Sequence, residues 1–258
     1  MRRLEQICAY TALLVLPSLA VPAAAQDKDQ TIYTYVAEWR IPRAKSAAFQ
    51  AFFEKTDKPI LDRLLADGSI KEWGRTTTLL HSVDGMTDGV WWCATSFTGI
   101  QKVLAELGKI DSSALNDLVE KHQDHFLESM IFRTGNSKAT SGFLDESAYY
   151  VNPGKAEDWL SLWKKWMQPV YEKMLADGTI MGYGIDHEAY HTVTPAYRSV
   201  WVVTDSPEAE DKVSAAFEAA MNARSKEERR TVGLQMQEVL EPGTHRDNLD
   251  RVIYYGHK

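Results

Sequence analysis

The chain matches itself. A shift of 110 positions lays Lys58-Pro-Ile-Leu-Asp-Arg-Leu-Leu-Ala-Asp-Gly-Ser-Ile-Lys-Glu-Trp-Gly74 over Gln168-Pro-Val-Tyr-Glu-Lys-Met-Leu-Ala-Asp-Gly-Thr-Ile-Met-Gly-Tyr-Gly184, with seven of 17 pairs identical and six more conservative. Chance gives about one identity over such a length. Without a gap the same shift pairs Phe49 with Trp159, His81-Ser82-Val83 with His191-Thr192-Val193, and Trp91 with Trp201. Further on, His122-Gln-Asp124 lies over His245-Arg-Asp247 at a shift of 123, so the second copy carries 13 extra residues. Two copies are too few for a solenoid and suit a fused pseudo-dimer.

Both copies show one order of periodic signals. A short strand (about Tyr33 to Ile41; about Ala148 to Val151) precedes apolar residues at helical spacing: Phe49, Phe52, Phe53, Ile60 and Leu64, then Trp159, Leu162, Trp163, Val170 and Met174. Pro59 and Pro169 fall inside these stripes and predict a kink at the same place in each helix, with Gly68 and Gly178 as left-handed terminators. A long strand follows (Ile70 to Val83; Ile180 to Val193), then a turn and an apolar strand (Val90 to Phe97; Val200 to Thr204), which reads as a hairpin. The next helical region is broken near Lys109 to Ser112 in copy one. In copy two it is opened by Ser206-Pro207 and restarted by the capping box Ser225 to Glu228. A last strand closes each copy, at about Ser129 to Arg133 and Arg251 to Tyr255.

The first 25 residues read separately. Arg2 and Arg3 precede an apolar run from Ile7 to Leu19, then Pro22 and Ala23-Ala24-Ala25, the pattern of a signal peptide cleaved near Ala25. The run is shorter than the roughly 20 residues of a membrane span. A periplasmic or secreted protein is expected, with no membrane attachment after cleavage. Losing Arg2, Arg3 and Glu5 takes the formal charge from −7 to −8, and no basic run interleaved with aromatics occurs, so nucleic acid is a poor partner. Cleavage also removes Cys8, leaving Cys93 alone and excluding an intramolecular disulfide and paired-cysteine zinc.

Strand, helix, strand, strand, helix, strand is the ferredoxin-like split βαβ unit, with both helices on one face of a four-stranded sheet. The predicted fold class is therefore α+β: two tandem ferredoxin-like repeats (βαββαβ with a split second helix), at 31–137 and 145–258, packed sheet to sheet as a pseudo-dimeric α+β barrel. The chain resembles the dimeric α+β-barrel superfamily. The segment Val151-Asn-Pro-Gly-Lys-Ala-Glu-Asp-Trp-Leu-Ser-Leu-Trp163 is similar to the strand-to-helix crossing of its NIPSNAP-like and antibiotic-monooxygenase-like branches; copy one departs from it, with Pro42-Arg43-Ala44-Lys45 there. The resemblance implies a fold rather than a reaction, since the superfamily holds oxygenases, haem enzymes, isomerases and proteins without known activity.

Alternation places Trp73, Arg75, Thr77, Leu79 and His81 on one face of the long strand of copy one, and Tyr183, Ile185, His187, Ala189 and His191 on the matching face of copy two. Facing the interior, these would make a small-molecule pocket with His191, His81 and His187 as candidate catalytic bases; facing the helices, they are packing residues. Trp39, Trp73, Arg75, Trp91, Tyr183 and Trp201 are the candidate pocket wall, suited to a flat aromatic ligand. Trp159, Trp163 and Trp166 fit the helix core. His187 and His191 stand roughly 13 Å apart on a strand, too far to share an ion. His122 and His125 could share a helix face but lack a third ligand, so no metal is expected. There is no nucleophile elbow, phosphate loop or dinucleotide fingerprint.

Three functions stay open on this reading: an enzyme or binder of a small apolar or aromatic molecule without a resident cofactor, a non-catalytic exported binding or assembly module, and a haem enzyme with His187 or His191 as axial ligand. Homo-oligomerisation is compatible with each. The run Val90-Trp-Trp-Cys-Ala makes Cys93 a buried, inert thiol. Thiol titration of the leaderless chain is expected to find one cysteine that reacts within minutes only after denaturation; rapid labelling of the native protein would contradict the strand there.

Overall fold

A computed structural model describes residues 31–81, 85–190 and 196–258, so the proposed leader and His191 lie outside the described residues. The chain runs β1 (Tyr33–Arg40), α1 (Ser46–Ala66), β2 (Glu72–Thr78), β3 (Asp88–Ala94), α2 (Phe97–Leu107), a short α3 (Ser113–Asn116) and β4 (Lys121–Thr134). It continues through β5 (Gly142–Tyr150), α4 (Ala156–Trp166), α5 (Gln168–Ala176), β6 (Gly182–Glu188), β7 (Tyr197–Thr204), α6 (Pro207–Asn222), α7 (Lys226–Val239) and β8 (Arg246–His257).

All eight strands are antiparallel to their neighbours and close into a barrel in the order β1-β3-β2-β8-β5-β7-β6-β4. The runs β4-β1-β3-β2 and β8-β5-β7-β6 each hold together, and the seams between them are β2 with β8 and β6 with β4. In both seams the register slips by one residue, between Ser129 and Ile131 in β4 and between Tyr254 and Val252 in β8. Such bulges sharpen the twist that barrel closure demands.

Helices pack on the outside. α1 buries Phe49, Phe53, Leu61 and Leu64, and α4 buries Trp159 and Trp163, each against the outward residues of its own sheet. Ser96 and Ser206 cap α2 and α6 through the amides of Gly99 and Ala209, and Ser225 with Glu228 forms a reciprocal capping box on α7. Gly68 and Gly178 terminate α1 and α5 at φ of +82° and +77°, a region L side chains avoid.

Several boundaries differ from expectation. β2 ends at Thr78, whose N–H bonds the Thr87 carbonyl, and β6 ends at Glu188, so neither strand carries its alternation as far as His81 or His191. Phe97 belongs to α2 rather than to β3. β4 and β8 begin earlier than their apolar cores suggest, which puts His122 and His125 on a strand and hence on opposite faces. β5 likewise begins at Gly142, upstream of its apolar end. The prolines act differently: α1 runs through Pro59, whereas the second copy breaks at Met167 and restarts with Pro169 in the first turn of α5. A first-turn proline loses no hydrogen bond, because that amide has no helical partner.

Inside the barrel each of two tryptophans lies over a glycine of the adjacent strand. A Cβ built on Gly74 would stand 1.9 Å from the Trp91 ring, and one on Gly184 2.5 Å from the Trp201 ring. Gly74→Ala and Gly184→Ala are each expected to cost about 1–3 kcal/mol in urea unfolding because the indole must move. Gly233→Ala, on α7 with nothing within 4 Å of the added methyl, is expected to stabilise by about 0.5–1 kcal/mol.

Candidate ligand site inside the barrel

The barrel interior holds a cavity of about 90 Å³. Its apolar wall is Val36, Leu127, Leu144, Val203 and the rings of Trp91 and Trp201. Five carboxylic acids share that wall: Glu38, Glu72, Glu146, Asp186 and Asp250. Alternation explains the mixture, since Glu72, Gly74 and Thr76 point inward from β2 while Trp73 and Arg75 point outward.

Glu72 and Asp186, each 3% exposed, are the most buried of the five. The Tyr255 hydroxyl donates to Glu72 at 2.9 Å, the Cys93 thiol lies 3.7 Å from the same carboxyl, and Trp201 Nε1 donates to Asp186 Oδ2 at 2.9 Å. Burial pushes the Glu72 carboxyl up to about 7 against these hydrogen bonds, and the charge of Asp186 adds to the rise. Burial also lifts Asp186 to about 7, with the charge of Glu146 adding, and Asp250 to about 6. One oxygen of Asp186 and one of Asp250, both buried, have no hydrogen-bond partner. Cys93 is free and buried, in contact with Thr34 Oγ1 at 3.1 Å, and burial raises its pKa well above the ordinary thiol value. It lines a cavity rather than a dry core, yet as a thiol it is a weak nucleophile.

Beside Glu38 sits His125, 3.3 Å from Glu38 and 3.1 Å from Glu188; hydrogen bonding to Glu38 first, then Glu188, raises it to about 9. His122 faces the other way, stacks on Trp39 at 5.2 Å and bonds Asp124 at 3.1 Å. His245 repeats this on Tyr149 at 4.6 Å with Asp247 at 2.8 Å. Among the described residues no group of three or more His, Cys, Asp or Glu side chains is arranged to hold a metal ion.

The structure separates the sequence-derived candidates. Trp91 and Trp201 line the cavity. The face carrying Trp73, Arg75, Tyr183 and His187 is the one turned away from it, which corrects the reading that placed those residues in an interior pocket. Trp73 packs on Phe53 at 6.0 Å, and Tyr183 stacks on Tyr171 at 5.0 Å beneath α5. Arg75 pairs with Asp88 at 2.5 Å under the rings of Phe49 and Phe53. Trp39 leans on Phe49 at 5.5 Å, also outside. His187 is half-buried on the outward face of β6; His81 is exposed beyond β2, at the edge of a groove lined by Arg43, Gln50, Glu54, Asp88 and Tyr254. Sequence alone does not single out the inward acids, because a carboxylate on a strand reads as a solvent-facing residue. The available signal was the pairing of Gly74 with Trp91 and of Gly184 with Trp201 at identical repeat positions.

No protein-family model matches the chain, and no curated protein matches its sequence. Solved structures do match it in fold. A candidate monooxygenase from Fusobacterium nucleatum superposes with a TM-score of 0.66 at 8% identity, covering 89% of this chain and 96% of its own. An anthrone oxidase-like protein gives 0.55 at 12% identity, covering 89% and 94%. A variant of the chlorite dismutase from Candidatus Nitrospira defluvii gives 0.50 at 11%, covering 86% and 90%. The shared element is the α+β barrel.

Because the folded protein keeps Glu72 and Asp186 protonated where the unfolded chain has released those protons, their contribution to stability is complete below about pH 4 and is lost as pH rises through about 7. His125 extends the decline, since its stabilisation is present below about 6.5 and lost through about 9. Urea unfolding from pH 5 to 9 is expected to show falling stability. Glu72→Gln and Asp186→Asn are each expected to flatten the lower half of that fall by on the order of 3 kcal/mol.

Proposed function

We propose that the chain is two tandem ferredoxin-like units, 31–137 and 145–258, sharing one barrel interior that binds a small, largely apolar or aromatic molecule between Trp91 and Trp201. The observation that carries this reading is a cavity walled by two indole rings and two carboxyl groups poised near neutrality. Groups that are half-protonated at neutral pH are suited to exchanging a proton with a bound molecule. The contiguous β4-β1-β3-β2 and β8-β5-β7-β6 runs, with bulges and glycine-seated tryptophans at corresponding places, support the duplication.

The oxidation activities named for two of the fold neighbours agree with a small-molecule site and with an antibiotic-monooxygenase-like or NIPSNAP-like ancestry. The same cavity without turnover would make the protein a binding module, the second of the open functions. Export to the periplasm or beyond follows from residues 1–25 in this proposal. Haem finds no fitting place among the described residues: the interior cavity is far smaller than the macrocycle, and the outer groove beside His81 is lined mainly by charged and hydroxyl groups instead of apolar walls.

A calorimetric and turnover screen with one-ring aromatic compounds tests the site. Trp91→Ala and Trp201→Ala are each expected to weaken any compound found by about tenfold or more while urea unfolding stays cooperative, since stacking on an indole is worth about 1 kcal/mol beyond area burial. Retained affinity in both variants would move the site elsewhere. Turnover by the wild type that falls in Glu72→Gln or Asp186→Asn would favour the enzyme over the binding module.

A further inference from the structure

We propose that the interior ligand carries a positive charge: a small organic ammonium or amidinium with an apolar or aromatic body. This rests on the interior-site reading above and narrows it to a class of ligand.

The lining of the cavity is one-sided. Glu38, Glu72, Glu146, Asp186 and Asp250 contribute to it, and among the described lining residues there is no Lys or Arg. The nearby cations are engaged elsewhere. Arg75 and Arg198 sit on the outward faces of β2 and β7, Arg75 with Asp88, and His125 lies between Glu38 and Glu188. An acidic lining alone does not make a cation site. The second observation is Asp186 itself: 3% exposed, on the cavity wall, bonded through one oxygen to Trp201, with its other oxygen making no hydrogen bond of ordinary geometry although the Ser129 hydroxyl beside it favours the charged form. A buried acceptor left open is costly, and a donor from a ligand removes that cost. Asp250 presents a second such oxygen on the same wall.

The aromatic walls agree with this. Each indole lies against a glycine of the neighbouring strand and lines the cavity, and an ammonium seated over the face of either ring would gain the attraction of its π-system. An anion would meet the opposite field, and a neutral ligand that lost a proton there would become an anion beside Asp186 and Glu146. A ligand that enters as a cation faces neither penalty. Its arrival would stabilise the ionised carboxyls and drive protons off Glu72, Asp186 and Asp250. The cavity of about 90 Å³ is smaller than the roughly 150 Å³ that takes benzene, so it excludes a polycycle and takes a single ring only as wall side chains shift.

Three probes of one shape and different charge separate the outcomes: benzylamine, benzyl alcohol and benzoate, titrated calorimetrically into the full chain at pH 7.5 in two buffers of different ionisation enthalpy. Benzylamine is expected to bind about tenfold or more tighter than benzyl alcohol, with buffer-dependent heat showing proton release, and benzoate not to compete. Asp186→Asn is expected to reduce the preference for benzylamine to about threefold or less while benzyl alcohol binds as before. Asp250→Asn serves the same purpose should Asp186→Asn fail to fold. Equal or tighter binding of benzyl alcohol or benzoate, weakened by Trp201→Ala, would overturn the charge assignment and leave the interior site standing. Binding of none of the three at millimolar concentration, or binding indifferent to Trp91→Ala and Trp201→Ala, would overturn both.

Discussion

Two strand seams decide what this molecule can be. Without the pairing of β2 with β8 and of β4 with β6, each four-stranded sheet would keep one face bare, and no interior would exist. Closure turns those faces toward each other and removes sheet edges that would otherwise pair with other chains. It also reverses the usual logic of burial. The large aromatic residues go mostly outside the barrel, under the helices, where Phe53, Trp73, Trp159, Trp163 and Tyr183 form two separate cores. The smaller third core inside, around Met181, Val203, Val252 and Tyr255, leaves room beside it.

That room is bounded by groups an ordinary core would reject. A carboxylic acid is tolerated in the interior only if it is protonated or well bonded, and Glu72 meets both conditions through burial, Tyr255 and Cys93. Asp186 meets them less completely, having one oxygen on Trp201 and one open. The two acids do not fall on each other at the 110-residue shift: Gly182 lies over Glu72, and Asp186 lies over Thr76. The tryptophans and their glycine seats are equivalent. The two halves of the barrel thus share their tryptophan and glycine positions while differing in their inward acids.

How much of this was legible beforehand depends on the scale of the signal. Repetition, helix stripes, caps and the glycine terminators are local and survive in one sequence, so the α+β barrel could be anticipated from residues such as Phe49, Gly68 and Ser225. Strand ends were not, because alternation continues through Leu79 to His81 although the last inter-strand bond of β2 is made by the Leu79 amide to Leu249. The choice of inward face was not either. Trp73 and Glu72 are adjacent on one strand, and hydrophobicity argues for burying the first; both are buried, one under a helix and one in the cavity, and only barrel closure tells these two interiors apart.

The bond from Trp201 to Asp186 has one more consequence. An indole whose N–H is held by a carboxyl group that gains or loses its proton near neutral pH sits in an electric field that changes with that proton, and indole emission responds to such fields. Trp201 is one of eight tryptophans, so its emission would report the charge on the cavity wall only against the background of the other seven.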